Sequence, residues 1–543
     1  MTMTLPLPDS YEEIPYTSRP FVQTHPDRLA TIATLLGMDP PPVAACRVLE
    51  LGCAGGGNLI PMALTLPHSE FVGLDLSARQ IAEGQTVIKS LGLGNITLSQ
   101  MDIMDIDHRL GQFDYIIAHG VFSWTPRPVQ EKILAVCREH LSPNGVAYIS
   151  YNTYPGWRLH EAVREMMLYH TRNITDPQTR IDQARALLDF LADSILAQST
   201  PHASFLHSYV HYVRDRFVPE EDDAYLFHNE LAQVNEPLYF YQFVERAANH
   251  GLKYLAEAQF QTMLAHHLPA SVLSRLREMA KSTVELEQYM DFLRNRTFRQ
   301  TLLCHQEVAL QSKLPPERLA RFYVASSALP DPVDTTIPDN QPVTFRGPKG
   351  DVMTTDHPVT QAAMLILSRQ WPQAVSFDAL YRAAFTSVYG RPPDEPSPLE
   401  MDRQLLGANL LQAYGYNDDL VELHISPSPF SCRVTDHPVA SPLARYQAAN
   451  GADIITNLRH ENIKLEGINY LLLPLLDGHH SPADLVDWLS TRLQTGEVSL
   501  NPDDQIRREL GENHWLPQIV NDALQTIASA ALLMGEPDEP DPL

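Results

Sequence analysis

Cysteine is scarce in this chain. Five of its 543 residues are cysteine (Cys46, Cys53, Cys137, Cys304 and Cys432), and no two stand in a C-x-x-C pair. That scatter suggests neither a disulfide framework nor a zinc site, and no metal is expected. Positive charge is scarce as well: 40 lysines and arginines face 66 aspartates and glutamates, a formal net charge of −26 at pH 7. Tracking a phosphate backbone needs clustered lysine and arginine, so no nucleic-acid partner is expected. Apolar runs are short. None approaches a membrane-spanning helix, so no membrane insertion is expected. Met1 to Pro8 has neither the basic segment nor the apolar run of a signal peptide. A reducing, cytoplasmic setting is the expected one.

What is present is ample material for several cores. Hydrophobic residues make up 44% and charged residues 20%, which is ordinary for globular protein, and the length sets a prior of three or four domains. The acidic balance suits a basic target such as a lysine-rich protein segment, and it suits solubility alone equally well.

The most informative stretch is Glu50-Leu51-Gly52-Cys53-Ala54-Gly55-Gly56-Gly57-Asn58. It follows the short apolar run Arg47-Val48-Leu49. It opens a helix with Leu59, Met62, Ala63 and Leu66 on one face. The order is strand, glycine turn, helix, and such a helix start offers N–H groups to a polar ligand. Any tight turn of this type uses glycine, so the turn alone does not decide. The next element adds to it. Phe71-Val72-Gly73-Leu74-Asp75 reads as a second strand ending in an acid, and Ser77 caps a helix faced by Ile81, Gly84, Ile88 and Leu91. An acid at that tip, roughly 20 residues past the turn, is placed for ribose hydroxyls. Further strands read over Ile96 to Gln100, Phe113 to Ala118 and Val146 to Ser150. They run into Met101-Asp102-Ile103, His119-Gly120-Val121-Phe122-Ser123-Trp124 and Tyr151-Asn152-Thr153-Tyr154-Pro155-Gly156-Trp157 respectively. Open α/β sheets bind ligands outside the carboxyl ends of their strands, so these ends form one site.

Here the chain resembles the class I S-adenosylmethionine-dependent methyltransferases, with Glu50-x-Gly52-x-Ala54-Gly55-Gly56 in place of the G-x-G-x-x-G of dinucleotide enzymes. Ala54 departs from the more usual glycine. Within that class it is similar to a bacterial subgroup carrying a methyltransferase regulatory domain, which includes lysine methyltransferases of outer-membrane proteins. The matching motifs are Tyr16-Thr17-Ser18-Arg19-Pro20-Phe21-Val22-Gln23-Thr24-His25-Pro26-Asp27, the two strand-end motifs at 119–124 and 150–157, Asn235-Glu236-Pro237-Leu238-Tyr239-Phe240 and Asp291-Phe292-Leu293-Arg294-Asn295-Arg296-Thr297-Phe298-Arg299. The resemblance implies S-adenosyl-L-methionine as cofactor. It implies cofactor contacts from Glu50, Gly52, Cys53, Ala54, Gly56 and Asn58, from Asp75, Leu76 and Gln80, from Met101, Asp102 and Ile103, and from His119. It implies a protein substrate presenting lysine, with an outer-membrane protein as one such substrate.

The fold expected is α/β: a Rossmann-like class I methyltransferase sheet with a helical insertion, then a helical middle region and a winged-helix-like α+β C-terminal domain. The sheet domain is expected over 1–157 and 230–270, the latter because Asn249 to Glu257 reads as helix end, turn and a strand that returns to the sheet. The helical insertion is expected over 158–229, a middle or regulatory region over 271–340, winged-helix-like modules over 341–535 and a disordered tail over 536–543. Ser271 to Leu310 reads as helical, and Pro330 to Pro348 as a linker or loose β region. Leu187, Leu188, Leu191, Ile195 and Leu196 form a stripe on the insertion that fits core packing or a homodimer contact. The C-terminal modules carry no catalytic motif and are read as recruiting or orienting a protein.

Methyl transfer to lysine needs an unprotonated amine, and free lysine titrates near 10.4. Aromatic walls would lower that by desolvation and would attract the methylated cation. His119, Trp124, Tyr154 and Tyr239 are the candidate catalytic residues. Phe122, Asn152, Trp157, His228, Asn235 and Phe240 are the candidate substrate pocket, with Glu230 beside them. Each aromatic could equally be core. Three readings stay open: a protein lysine methyltransferase, which an open acidic groove would favour; a small-molecule methyltransferase, which a closed apolar pocket would favour; and a cofactor-binding scaffold without turnover.

Overall fold

The computed structural model describes residues 12, 14–195, 200–217, 223–265, 268–311, 313–332, 341–393, 400–499 and 515–535. Most of the N-terminal arm, Leu196 and the tail 536–543 lie outside the described residues.

A seven-stranded sheet organises the first half of the chain. Its strands are β1 (Arg47–Leu51), β2 (Glu70–Asp75), β3 (Ile96–Gln100), β4 (Phe113–Ala118), β5 (Leu141–Asn152), β6 (Leu252–Glu257) and β7 (Phe298–His305), in the order β3-β2-β1-β4-β5-β7-β6. Strands β1 to β5 pair in parallel, and β7 runs antiparallel to both β5 and β6. The order reverses between β1 and β4, where open sheets place their ligands. The chain is long and apolar enough here to cover both sheet faces, as a largely parallel sheet requires. One face packs Leu29, Val48, Phe71 and Tyr115. The other packs Leu49, Ile116, Ile133 and Phe243.

The helix Ala78–Leu91 starts where Ser77 Oγ accepts from Gln80 N and stops at Gly92, which takes a φ of 66°. Its Gly84 lies against the glycine turn so closely that a Cβ there would sit 2.5 Å from Gly55 O. That small residue lets the helix seat on the turn.

The helix end, turn and strand expected over 249–257 are present: a helix ends at Asn249 and β6 follows from Leu252. The helical reading of Ser271 to Leu310 is corrected in its last part. Helices run over Ala270–Met279 and Thr283–Arg294, but Phe298–His305 is β7. Its middle six residues are buried on both faces, so it shows no apolar–polar alternation. The sheet therefore takes its last strand from the segment expected to be the middle region.

The insertion consists of helices Gly156–Thr171, Pro177–Ser194 and Pro201–Phe217. Leu188 is fully buried among Val163, Met167, Ala184 and Val210, with Leu187, Leu191 and Ile195 packed against them. The described part of the leucine stripe thus packs within this helical unit.

Beyond the sheet lie two small sheets, β11-β10-β9 and β12-β8-β13. Here β8 is Tyr323–Ala325, β9 Leu329–Asp331, β10 Val343–Arg346, β11 Val352–Thr355, β12 Val375–Ser376 and β13 Glu422–His424. The described part of Pro330 to Pro348 is therefore strand rather than open linker. Helices Pro358–Gln370, Phe377–Tyr389 and Glu400–Tyr416 pack on these sheets. They are not a separate core: Leu319, Val324, Phe377, Leu410 and Leu423 join the same apolar cluster as Leu29 and Val48 of the sheet domain. A final unit has its own core, with Leu472, Leu485, Leu489, Leu524 and Ile527 from helices Gly467–Leu472, Pro482–Thr495 and Trp515–Ser529. It includes β14 (Phe430–Ser431), the hairpin of β15 (Ile455–Thr456) and β16 (Asn462–Ile463), and β17 (Leu533–Met534). No described helix is long and apolar enough to cross a membrane.

Candidate active site

The carboxyl ends of β1, β2 and β3 bring the glycine turn and two acids together. Gly52 takes a φ of 74°, Ala54 49° and Gly56 74°. A Cβ on Gly52 would lie 2.4 Å from Val121 Cγ2, so both its backbone and its surroundings call for glycine. Several N–H groups of the turn itself are used within the protein. Gly52 N and Cys53 N donate to Leu74 O, and Gly56 N to Cys53 O. Ala54 N donates to Asp75 Oδ2 at 2.8 Å, and Gly57 N to Ser18 Oγ at 2.7 Å.

Glu50 lies under this turn and is buried. Its Oε1 accepts from Asn58 Nδ2 at 2.7 Å, while Oε2 is buried with no hydrogen-bond partner. Burial pushes its carboxyl up to about 8, the Asn58 amide opposing and the Asp75 charge adding to the rise. A buried carboxylate oxygen without a donor is an acceptor for a cationic group. Asp75 also accepts from Ser77 N at 2.9 Å. Burial raises its carboxyl, against the amides of Ser77 and Ala54. Asp102 is exposed and caps the turn that follows it through Met104 N, 2.9 Å away. Leu76 and Met104 are exposed apolar residues beside these two acids, a suitable flank for a planar base. Met101 and Ile103 are half-buried against the sheet core. Cys53 is buried, and burial raises its thiol well above the ordinary range, so it is inert packing against Gly73.

An N-terminal segment closes this side, and sequence reasoning assigned it no role. Ser18 caps Gly57. Tyr16 O accepts from Gln80 Nε2 at 2.8 Å, and Phe21 lies on the His119 ring with centroids 3.9 Å apart. Gln80 therefore holds this segment rather than reaching out as a free amide. His228 likewise donates through Nε2 to Ile14 O at 2.5 Å, so it straps the segment down and is not a pocket wall. The signal for this strap was the long motif at 16–27, present but without chemistry of its own.

The ends of β4 and β5 form the other half. His119 Nδ1 lies 2.9 Å from the Tyr148 hydroxyl, and burial lowers its titration to about 4. It is neutral at physiological pH. Tyr148 fixes its ring, a partner the sequence did not point to. Asn152 Nδ2 donates to Asn235 Oδ1 at 2.9 Å, and the Asn235 amide nitrogen is buried without an acceptor. Trp124 meets Trp157 edge to face at 6.1 Å, and Tyr154 meets Tyr239 at 5.3 Å. The structure thus gathers His119, Trp124, Asn152, Tyr154, Trp157, Asn235 and Tyr239 around one end of the sheet. One face of Tyr154 is covered by the Arg158 guanidinium at 3.7 Å, and its hydroxyl donates to Glu161 at 2.9 Å.

Two expected walls are not walls. Phe122 is fully buried against Tyr151 and Phe243. Phe240 is fully buried between Tyr254 and the Arg299 guanidinium, 3.6 Å from its ring. Both are core aromatics, because the sheet needs large apolar volumes on each face. Glu230 is buried and pairs with His160 at 2.9 Å.

A cleft of about 680 Å³ lies beside this end, lined by Tyr209, Tyr212, Gln261, Thr262 and the stretch Arg294 to Phe298. Phe298 contacts His119 at 6.3 Å, so the cleft leads toward the strand ends. None of these lining residues is acidic. Arg294 is committed to the carbonyls of Thr262 and Leu264 at 2.6 and 2.8 Å, and Arg296 to Glu257 at 2.9 Å.

Comparison with known proteins places this architecture. A methyltransferase domain model matches residues 49–147. A model described as a methyltransferase regulatory domain matches 222–305. One described as the PKMT C-terminal winged helix domain matches 436–532. The stretch matched as regulatory contains β6 and β7, and so completes the catalytic sheet. An uncharacterized protein of Rickettsia prowazekii is 35% identical over 523 residues, covering 94% of this chain and 92% of the relative. The structure of PKMT2 from Rickettsia typhi, also solved in complex with AdoHcy, is 29% identical, with a TM-score of 0.82 over 96% of this chain and 100% of that one. The chain belongs to the class I S-adenosylmethionine-dependent methyltransferases that carry the methyltransferase regulatory domain and the PKMT-type winged-helix domain.

Proposed function

We propose that this enzyme transfers methyl groups to lysine side chains of a protein substrate. The observation that carries the reading is the full-length likeness to PKMT2, which extends through the winged-helix unit and not only the sheet. Enzymes that share a sheet alone diverge freely in substrate.

The cofactor supplies an electrophilic methyl on a sulfonium. In this reading Glu50 Oε2 takes its ammonium group, Asp75 its ribose hydroxyls, and Asp102 with Leu76, Met101 and Ile103 its base. Gly52, Ala54 and Gly56 keep the turn close enough for that approach. His119, held neutral by burial, adds no competing positive charge at the strand end. Trp124, Trp157, Tyr154 and Tyr239 surround the incoming amine. They exclude water, which favours its neutral form, and present ring faces to the methylated cation. Asn152 and Asn235 offer polar contacts that orient the amine for in-line attack. Among the described residues none is assigned the role of general base, and the amine enters in its neutral form, its proton lost to solvent beforehand.

The test is incubation with methyl-labelled S-adenosylmethionine and fractionated extract of a bacterium encoding a close relative. Label in the protein fraction supports the reading. Label confined to small molecules would replace it with the small-molecule alternative, and no label above an Asp75→Ala control would leave a binding scaffold.

A further inference from the structure

The winged-helix unit reaches the floor of the cofactor site. The hairpin turn between β15 and β16 projects His460 into the sheet domain, where it is buried. Its Nε2 lies 2.8 Å from Asn58 Oδ1, and its ring lies 5.3 Å from that of His25. Burial lowers its titration well below the ordinary histidine range, so the ring is neutral and Nε2–H is the donor.

Asn58 is the residue that partners Glu50. Its Nδ2 donates to Glu50 Oε1 at 2.7 Å and to Thr24 Oγ1 at 3.0 Å. Its Oδ1 accepts from Phe21 N at 2.9 Å and from His460. A backbone N–H can only donate, so Phe21 and His460 together fix which end of the Asn58 amide faces Glu50. With His460 gone, only Phe21 N and the Thr24 hydroxyl, 3.2 Å away, still hold that orientation, and the preference for setting nitrogen rather than oxygen against Glu50 weakens. The two residues joined here are 402 positions apart in the chain.

The hairpin turn is built to hold His460 in place. His460 takes a φ of 63°, a left-handed conformation uncommon outside glycine. Its neighbours maintain it. Asn457 Oδ1 accepts from Arg459 N at 3.0 Å and from Glu461 N at 2.9 Å. Arg459 forks onto both oxygens of Glu422 at 2.9 Å each and stacks over Trp371 at 4.5 Å. Asn462 Nδ2 donates to Pro20 O at 3.3 Å. A contact serving only to pack two units together would need neither a strained backbone nor a donor aimed at a buried amide.

We infer that His460 is a positioning residue of the cofactor site, which through Asn58 sets Glu50 to receive the cofactor's ammonium group. The inference rests on the cofactor reading above. The winged-helix unit is then part of cofactor binding and not only a substrate-facing appendage.

The experiment uses full-length protein with His460→Phe, His460→Gln and Asp75→Ala. Affinity for S-adenosylhomocysteine is measured by calorimetry, and cofactor KM and kcat in the labelled-methyl assay. His460→Phe keeps a ring of similar size but has no donor, and His460→Gln restores an N–H at similar reach. Affinity should fall roughly tenfold in His460→Phe, the loss expected for one buried hydrogen bond. Cofactor KM should rise by a like factor with kcat within about twofold, and His460→Gln should recover most of the loss. Wild-type affinity in His460→Phe, or equal losses in both His460 variants, would overturn the inference. Wild-type affinity in a folded Asp75→Ala would overturn the cofactor reading itself. If Asp75→Ala loses affinity while His460→Phe keeps it, the reading stands and the inference falls.

Discussion

In the proposed reading Glu50 and Asp75 are the two acids that meet the cofactor at the scale of single residues, and they differ in a measurable way. Asp75 already accepts two backbone amides and keeps lone pairs for a ribose. Asp75→Ala should weaken cofactor binding by roughly 1–3 kcal/mol, the cost of losing hydrogen bonds to a charged acceptor. Calorimetry on the folded variant checks this, and unchanged affinity would remove Asp75 from the site. Burial pushes the Glu50 carboxyl up to about 8. A bound ammonium favours its ionised form, so binding below that pH drives a proton off, and affinity should climb as pH rises from about 6 to about 8, then level. Calorimetry in two buffers of different ionisation enthalpy at about pH 6.5 counts that proton. Zero protons released would separate Glu50 from the ligand. These acids and the glycine turn were legible in the sequence, because strand, turn and acid follow one another at fixed spacing. Phe122, Phe240 and His228 were misassigned for the opposite reason. Their neighbours Phe243, Arg299 and Ile14 are distant in the chain, and burial is decided by such partners. Ser18, Phe21 and Tyr148 went unassigned because nothing local marks a residue that reaches the site from outside it or beneath it.

Among the elements, β7 shows where periodicity fails. It follows a helix, is buried on both faces, and carries Arg299 inside the protein. No alternation survives in such a strand, so its helical reading was natural and wrong. What permits a buried arginine there is a set of acids from two other elements. Arg299 forks onto Asp291 at 2.8 and 2.9 Å and reaches Glu257 at 2.9 Å and Glu287 at 3.1 Å. This also explains the motif at 291–299, whose charged residues tie helix Thr283–Arg294 to the sheet edge. Burial pushes Glu287 up to about 7 despite Arg299, while the two arginines hold Glu257 below its ordinary range against burial. Arg299→Ala leaves several buried carboxyls without their cation. It should cost about 3–5 kcal/mol of unfolding free energy, as breaking a buried ion pair from one side does. Urea denaturation checks this, and a loss below about 1 kcal/mol would show the cluster to be solvent-screened.

The molecule as a whole is more continuous than its domain pattern suggests. The sheet domain and the small sheets after it share one apolar core, and a polar seam runs alongside. Asp27 Oδ2 lies 2.9 Å from His424 Nδ1, and His424 Nε2 lies 3.3 Å from Glu422. Glu422 in turn holds Arg459. Asp27 belongs to the N-terminal motif, so that motif's second role is to join three parts of the chain. The hydrogen bonds to Asp27 and Glu422 raise His424 to about 9 against burial, and Arg459 and His424 hold Glu422 down to about 2 against burial. A histidine raised in this way contributes stability that is complete below its unfolded value of about 6.5 and lost as pH rises through about 9. His424→Gln should therefore lower Tm clearly at about pH 6 and hardly at all near pH 10, as differential scanning fluorimetry can read. An equal deficit at both pH values would mean that the seam is packing and not charge.

The central claim is that lysine of a protein receives the methyl group at the ends of β4 and β5. The most direct measurement is site-resolved mass spectrometry of a protein substrate after reaction with deuteromethyl S-adenosylmethionine, with Trp124→Ala beside the wild type. The account predicts deuteromethyl groups on lysine Nζ, and a strongly reduced level in Trp124→Ala with cofactor affinity intact. Modification confined to any other residue type, or undiminished lysine methylation in Trp124→Ala, would contradict it.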